Sequence, residues 1–243
     1  MKSLLLMMTF FTRIPVTYPY DYDEKDFIKG VKFLPVIGLL IGILMYLPTL
    51  LAPYIHRPII IVSIWALYFL ITGGLHIDGL ADTFDGIFSY RSKEEMLRIM
   101  KDSRIGAFGV LGILWLLILN LTLAYYTENM LLLLVPVVGR ASAVFAASRS
   151  IYARSEGMGG AFIESCRTKE GVISIVFSLL LGSMVSIKGA IIPMGITFLG
   201  VAMLTKKISK ILGGMTGDTI GATIEISQTL FMLSAYLLKS III

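Results

Sequence analysis

Residues 73–86 read Gly-Gly-Leu-His-Ile-Asp-Gly-Leu-Ala-Asp-Thr-Phe-Asp-Gly and place three carboxylates directly after a long apolar run. Asp78, Asp82 and Asp85 are spaced i, i+4 and i+7, so a helix over them carries all three on one face. Like charges in this arrangement repel one another. We therefore expect a bound cation, and carboxylate oxygens favour Mg²⁺ or Mn²⁺ over softer metals. The alternative is a set of solvated carboxylates at a helix end, although charges bordering a membrane span are costly unless paired.

The composition of the chain predicts a membrane protein. Of its 243 residues, 56% are hydrophobic and 15% are charged. Soluble domains average about 45–50% apolar residues and about 25% charged residues. We expect one all-α domain over residues 1–243, a polytopic helical bundle in contact with membrane lipid. The single cysteine, Cys166, excludes an internal disulfide and a thiolate zinc site. The net charge of +5 is ordinary for basic loops and does not indicate nucleic-acid binding. The oligomeric state stays open, and a homo-oligomer is allowed.

Apolar runs close to the roughly 20 residues that cross a bilayer recur along the chain. Residues 1–11 predict a short interfacial helix, and residues 78–105 predict an amphipathic helical loop on the membrane surface. Two short spans meet at Lys188 and Gly189, where a re-entrant pair is the alternative to a tight turn. The sequence predicts about seven transmembrane helices, at Phe33–Tyr54, Pro58–Leu75, Gly106–Tyr126, Met130–Ser148, Gly171–Ile187, Gly189–Thr205 and Thr219–Leu238.

The lysines and arginines predict the orientation of these spans. Of the 21 basic residues, most fall in the N-terminal segment and in every second loop. The opposite set of connections and the C-terminal end hold only Arg57, Lys188 and Lys239. The positive-inside rule therefore places the N-terminus, the long loops and the aspartates of residues 73–86 on the cytoplasmic side of the cell membrane.

A second acidic cluster lies at the start of the last predicted span. Asp218 and Glu225 are i and i+7, with the small Gly221 and Ala222 between them. Asp218 could simply cap the helix. Capping does not account for Glu225, which falls about two turns into the span and therefore needs a cation or a partner.

Several basic residues fall where phosphates could be held. Arg140 lies inside an apolar run, so it needs an acid or a phosphate as a partner. The positive-inside rule is the stronger explanation for Arg13 and Arg154. Acidic clusters suited to a divalent metal, surrounded by basic side chains, predict a membrane phosphotransferase. Its candidate phosphate-binding residues are the basic ones of residues 101–106, Arg140, Arg13 and Arg154.

Three strings resemble the signature regions of the cobalamin synthase family, the adenosylcobinamide-GDP ribazoletransferases. They are residues 73–86, residues 101–109 (Lys-Asp-Ser-Arg-Ile-Gly-Ala-Phe-Gly) and residues 216–225 (Thr-Gly-Asp-Thr-Ile-Gly-Ala-Thr-Ile-Glu). Residues 12–16 (Thr-Arg-Ile-Pro-Val) also match, and the resemblance runs in order from about residue 4 to 235. Family members often carry an acid three residues after the final glutamate, where this chain has Gln228.

The resemblance implies a Mg²⁺-dependent membrane enzyme, with Mn²⁺ as the other candidate metal. Its substrates would be adenosylcobinamide-GDP and α-ribazole or its 5′-phosphate, and GMP would be released. The catalytic residues would be Asp82, Asp78 and Asp85. The metal candidates carried over by position are Asp78, Asp82, Asp85 and Asp218, with Glu225 in support. The resemblance also implies phosphate binding or its support by Lys101, Asp102 and Arg104, and less strongly by Arg13, Arg140 and Arg154.

Two other classes of protein remain open at this stage. In the first, Asp82-x-x-Asp85-Gly86 fits the start of the CDP-alcohol phosphotransferase pattern, but the following Ala-Arg and the later paired aspartates are missing. The second is a cation-coupled transporter, in which intramembrane acids mark the ion path. Only Glu225 fits such a path, because the other acids collect at the cytoplasmic ends of the spans.

Overall fold

The computed structural model describes residues 2–16 and 23–242, and within them the chain folds as a bundle of helices. Short 3₁₀ turns follow α2 and α3, and a π-helical turn over Ile187–Ile191 precedes α11. The all-α prediction is confirmed. The α-helices are α1 Lys2–Phe11, α2 Glu24–Gly30, α3 Leu34–Tyr46, α4 Arg57–Thr72, α5 Leu75–Ile87, α6 Lys93–Ile99, α7 Ala107–Tyr126, α8 Asn129–Ala147, α9 Met158–Ser165, α10 Thr168–Val185, α11 Ile192–Leu212 and α12 Gly217–Ile242.

The count of seven spans is not confirmed. Among the described residues, five helical segments are long and apolar enough to cross a membrane, at Glu24–Leu51, Ala107–Tyr126, Asn129–Ala147, Thr168–Val185 and Ile187–Leu212. The helices α4 and α5 together make a sixth if they are counted as one broken span. The last predicted span forms the long helix α12, but it does not meet the same criterion. Its acidic, amide and hydroxyl side chains lower its hydropathy.

The helix α8 forms the centre of the bundle, with most of its side chains buried. Its closest neighbour is α3, which meets it through Gly38 and Gly42. A Cβ atom on Gly38 would lie 2.7 Å from the Cα of Val137, and one on Gly42 would collide with the backbone of Leu133. Small residues four apart let two membrane helices approach this closely. The buried apolar side chains of α4, α8 and α12 belong to the same core.

The basic loops gather at one end of the bundle, as the charge pattern predicts. There, the backbone N–H of Arg13 donates to the carbonyl of Ile71, and residues 151–153 pair with Met215 through two backbone hydrogen bonds. At the other end, Arg57 donates to the carbonyls of Ala124 and Tyr125. Hydrogen bonds thus connect the loops to one another at each end of the bundle, and most of the candidate site residues lie at the end with the basic loops.

Candidate active site

The three aspartates lie on α5, which begins at a sharp turn. Gly73 and Gly74 adopt the left-handed conformation, with φ of 62° and 74°, which is strained for residues with a Cβ atom. The turn bends the chain by 89° between α4 and α5. The prediction of one helix over Asp78, Asp82 and Asp85 is confirmed. Because of the bend, this helix runs across the end of the bundle where the basic loops lie, at a steep angle to α4.

Asp78 and Asp82 face a cavity of about 580 Å³, which we call the larger cavity. Arg13, Lys101 and Asp102 also line it, so three carboxylates and two cationic side chains share one water-accessible space. Asp82 is half-buried, while Asp78, Arg13 and Lys101 are exposed. Opposite charges around a cavity of this size suit a ligand that carries phosphate and is held partly through a cation.

Asp85 has a different environment from the other two aspartates. Its carboxylate accepts a hydrogen bond of 2.7 Å from the backbone N–H of Gly106 and one of 2.8 Å from that of Gly109. These N–H groups belong to the free N-terminus of α7, where a carboxylate is stabilised by both the unpaired donors and the helix dipole. Asp85 therefore anchors α7 to α5. Metal binding by Asp85 stays a prediction.

Asp218 lies in the first turn of α12 and forms an ion pair with Arg154, at 2.7 Å between Nη2 and Oδ2. Both line a second cavity of about 250 Å³, which we call the smaller cavity. Asp78 lines both cavities, so the two are neighbours across α5. A Cβ atom on Gly79 would lie 2.8 Å from the carbonyl oxygen of Asp218. This close approach confirms that the last helix packs against the aspartate helix, as two acidic clusters forming one site require.

Glu225 and Arg140 lie in the interior of the bundle, away from both cavities. Glu225 is 1% exposed and accepts hydrogen bonds from the Tyr68 hydroxyl at 2.5 Å and from the Gln228 amide at 3.3 Å. Arg140 is completely buried and donates from Nη1 to the Gln228 oxygen at 3.1 Å. Its guanidinium also lies 5.4 Å from the centre of the Tyr68 ring. The predicted roles of Glu225 in metal binding and of Arg140 in phosphate binding stay predictions.

The remaining predicted residues lie in the exposed loop after α6. Arg104 donates two side-chain hydrogen bonds to Asp102, of 3.0 and 2.7 Å. These bonds and one from the Arg104 backbone lower the pKa of Asp102 to about 2. Asp102 is therefore charged at neutral pH and would repel a phosphate itself. It lines the larger cavity together with Lys101, whereas Arg104 is not among the lining residues. We interpret the pair as shaping the loop that presents Lys101.

A divalent ion fits this donor set only if the substrate completes its coordination. Within the described ranges, no three His, Cys, Asp or Glu side chains are arranged to hold a metal ion. Of the three carboxylates that line the larger cavity, Asp102 is paired with Arg104, which leaves Asp78 and Asp82 for an ion. Mg²⁺ typically binds through one or two carboxylates and keeps water or substrate phosphate as its other ligands. The residues present therefore suit Mg²⁺ carried with a phosphate.

Sequence reasoning missed the aromatic lining of the smaller cavity. Phe11, Tyr152 and Phe162 come from α1, from the loop after α8 and from α9. No spacing rule connects three such distant positions.

Burial raises the pKa of the Tyr152 hydroxyl and that of the Cys166 thiol. Both groups therefore stay neutral at neutral pH.

Comparison with known proteins identifies the family. The family model described as Cobalamin-5-phosphate synthase matches residues 3–236. A protein of Alkaliphilus oremlandii named Adenosylcobinamide-GDP ribazoletransferase is 99% identical over the full length of both chains. The protein of that name from Acetivibrio thermocellus is 43% identical, over 98% of this chain and 99% of its own. The one from Clostridium acetobutylicum is 39% identical, over 97% and 96%. No solved structure matches the chain.

These matches decide between the classes of protein that the motifs left open. The family model covers nearly the whole chain, including all three motif regions, and the relatives bear the name of a transferase. The CDP-alcohol phosphotransferase and transporter alternatives have no comparable support. The chain therefore belongs to the cobalamin-5-phosphate synthase family.

Proposed function

We propose that the chain joins α-ribazole, or its 5′-phosphate, to adenosylcobinamide-GDP with release of GMP. The product would be adenosylcobalamin or its 5′-phosphate. The family match and the names of the relatives support the transferase activity. The observation that carries the assignment of the site is the larger cavity, where Asp78 and Asp82 face Arg13 and Lys101.

The two cationic side chains would bind the diphosphate of adenosylcobinamide-GDP. Arg13 is well suited because its guanidinium makes paired hydrogen bonds to phosphate oxygens. Its backbone is fixed by the hydrogen bond to the end of α4, at Ile71. Lys101 supplies a mobile point charge from the loop after α6. Together they would hold the diphosphate next to the aspartate helix.

Asp78 and Asp82 would hold the Mg²⁺ ion together with phosphate oxygens. When bound, the ion would neutralise the phosphate oxygens and stabilise the leaving group. One carboxylate at i and another at i+4 repel each other by a few tenths of a kcal/mol on a helix, about 0.2–0.5. A cation between them removes this repulsion, which is why the pair is better suited to an occupied site than to an empty one.

The reaction needs one proton acceptor beside the attacking hydroxyl. The ribose hydroxyl oxygen would form a bond to the phosphorus nearer cobinamide, and the bond from that phosphorus to the bridging oxygen would break. GMP leaves with the electron pair of the broken bond. Asp78 borders both cavities, so its carboxylate is the candidate to accept the hydroxyl proton. Catalysis would otherwise depend on positioning and charge neutralisation.

The charge pattern supports a site on the cytoplasmic side of the cell membrane. The loops that surround both cavities are the basic ones, and basic loops remain in the cytoplasm. Adenosylcobinamide-GDP and α-ribazole would then be drawn from the cytoplasm, while membrane lipid surrounds the exposed apolar side chains of α7 and α10.

The direct test is a turnover assay with the purified chain in lipid nanodiscs. Adenosylcobinamide-GDP and α-ribazole are supplied with Mg²⁺ or with EDTA, and GMP and the complete cobamide are measured by chromatography. We expect both products in equal amounts with Mg²⁺ and neither with EDTA. Absence of product with Mg²⁺ from folded protein refutes the function, and equal turnover in EDTA refutes the metal dependence.

The substitution Asp82→Asn tests the site itself. Loss of groups that only support a metal ligand costs about 10–100-fold in affinity or activity, so loss of a direct ligand should reduce turnover at least about 100-fold. The matched control is Glu94→Gln on the exposed surface of α6, which does not line either cavity. Full turnover of folded Asp82→Asn protein would show that Asp82 does not bind the catalytic metal.

A further inference from the structure

The smaller cavity has a lining unlike that of the larger one. Phe11 and Phe162 are each 4% exposed, and their ring centres lie 5.6 Å apart. The ring of Tyr152 also faces this space, together with the apolar side chain of Ile220. Among the described residues, those that line the larger cavity include no aromatic side chain. Flat rings in a partly closed space favour a flat aromatic ligand, because stacking requires only a π-face.

Two buried nitrogen atoms in this lining lack a hydrogen-bond partner among the described residues, Nε of the ion-paired Arg154 and Nε2 of His76. His76 is 3% exposed, and its Nε2 atom has no hydrogen-bond partner in the part of the chain that the structure describes. Its ring centre lies 5.9 Å from that of Phe11. An unpaired buried polar atom costs free energy, and a ligand nitrogen that hydrogen-bonds to it would recover that cost. Apart from Asp78 and the ion pair of Arg154 and Asp218, the lining is therefore apolar and aromatic, and it contains one unsatisfied imidazole nitrogen.

The size of the cavity limits what it can hold. Pockets for drug-sized ligands measure about 300–1,000 Å³, and this one measures about 250 Å³. A corrinoid macrocycle is larger than a drug-sized ligand and does not fit. A two-ring base does fit. Guanine would need several free hydrogen-bond partners for its polar edge, and two of the charged lining residues, Arg154 and Asp218, are paired with each other. The benzimidazole base of α-ribazole is apolar apart from one ring nitrogen and needs only one partner.

We propose that the smaller cavity binds the bicyclic aromatic base of the nucleoside acceptor. The inference rests on the proposed function and specifies which substrate each cavity takes. Phe11, Phe162 and Tyr152 enclose the base, and His76 hydrogen-bonds to its ring nitrogen. The ribose then extends toward Asp78, which borders both cavities, and its hydroxyl meets the phosphate in the larger cavity. The two substrates thus approach each other from opposite sides of α5.

The test compares two variants of the aromatic lining, Phe162→Leu and Tyr152→Leu. The second is included because Tyr152 is only half-buried in a loop, so its replacement is less disruptive to folding. Stacking of a base on an aromatic side chain is measured at about 1–3 kcal/mol, which corresponds to about 5- to 150-fold in affinity. We expect the KM and the dissociation constant of α-ribazole to rise at least about fivefold, with the KM of adenosylcobinamide-GDP within about twofold of the starting value.

Two controls separate the inference from the proposed function. Phe145→Leu removes an aromatic ring that packs on Phe198 and does not line the cavity, so it should leave both constants unchanged. The unmodified chain is assayed in parallel, and its failure to release GMP would refute the function whatever the variants do. If it turns over and the folded variants bind α-ribazole normally, only the inference is overturned. A rise confined to the KM of adenosylcobinamide-GDP also overturns it, because the cavity would then take guanine.

Discussion

The substitution Asp85→Asn distinguishes a structural anchor from a metal ligand. In the structure, the two carboxylate oxygens of Asp85 accept hydrogen bonds of 2.7 and 2.8 Å from the backbone N–H groups of Gly106 and Gly109. An asparagine can accept only one of them, because its amide group presents hydrogens to the other donor. If Asp85 is an anchor, the variant should lose stability and leave metal affinity unchanged.

The magnitude follows from the hydrogen bond that is lost. A hydrogen bond to a charged group contributes about 1.5–3 kcal/mol. For a chain of this size, a loss of about 2 kcal/mol lowers the melting temperature by about 4–8 °C. Turnover measured well below the melting temperature should change far less than in Asp82→Asn, since Asp82 faces the larger cavity and Asp85 is engaged with α7.

The assay combines a thermal melt of the detergent-solubilised protein with a Mg²⁺ titration of turnover. The expected result for Asp85→Asn is a lower melting temperature with an unchanged Mg²⁺ concentration for half-maximal rate. An unchanged melting temperature with a tenfold higher Mg²⁺ requirement would refute the anchor interpretation. It would instead support the ligand role that the sequence pattern predicts.

Three further substitutions test the packing, the interior and the phosphate clamp. Gly79→Ala should lower stability by about 1–3 kcal/mol and reduce turnover, because its Cβ would lie 2.8 Å from the backbone of α12. The matched control in the thermal melt is Gly195→Ala, whose Cβ would meet nothing within 4 Å. Tyr68→Phe should destabilise the bundle by about 1–3 kcal/mol in that melt, since it leaves a buried carboxylate and a buried amide each without one hydrogen bond. Lys101→Ala should raise the KM of adenosylcobinamide-GDP about tenfold, as expected for about 1.4 kcal/mol of lost phosphate binding, whereas Lys207→Ala on the exposed surface of α11 should not.

Each of these expectations has an outcome that contradicts it. Equal melting temperatures for the two glycine variants would show that α5 and α12 are not in close contact. A Tyr68→Phe protein as stable as the starting protein would show that its hydroxyl bonds contribute no net stability. A Lys101→Ala enzyme with an altered KM for α-ribazole alone would exchange the assignments of the two cavities.

The membrane helices and the aspartate helix could be predicted because their signals are local. An apolar run of about 20 residues identifies a span wherever it occurs, and the spacing of the aspartates predicts one helix over them. The predicted span Pro58–Leu75 runs through Gly73 and Gly74, where the structure ends α4 and begins α5. The number of spans was less predictable. The polar side chains of α12 reduce its hydropathy. The bend at Gly73 leaves open whether α4 and α5 together count as one broken membrane span, so the total is five or six.

The sequence alone determined that Asp78, Asp82 and Asp85 share one helix face, because that follows from the period of the α-helix. Only the tertiary structure decided what each carboxylate meets. Asp78 and Asp82 face a cavity, Asp85 meets the N-terminus of α7, and Glu225 meets a buried tyrosine. These differences depend on which helices pack against α5 and α12. Such neighbours are distant in the chain, so no local pattern encodes them, and the same holds for the aromatic lining of the smaller cavity.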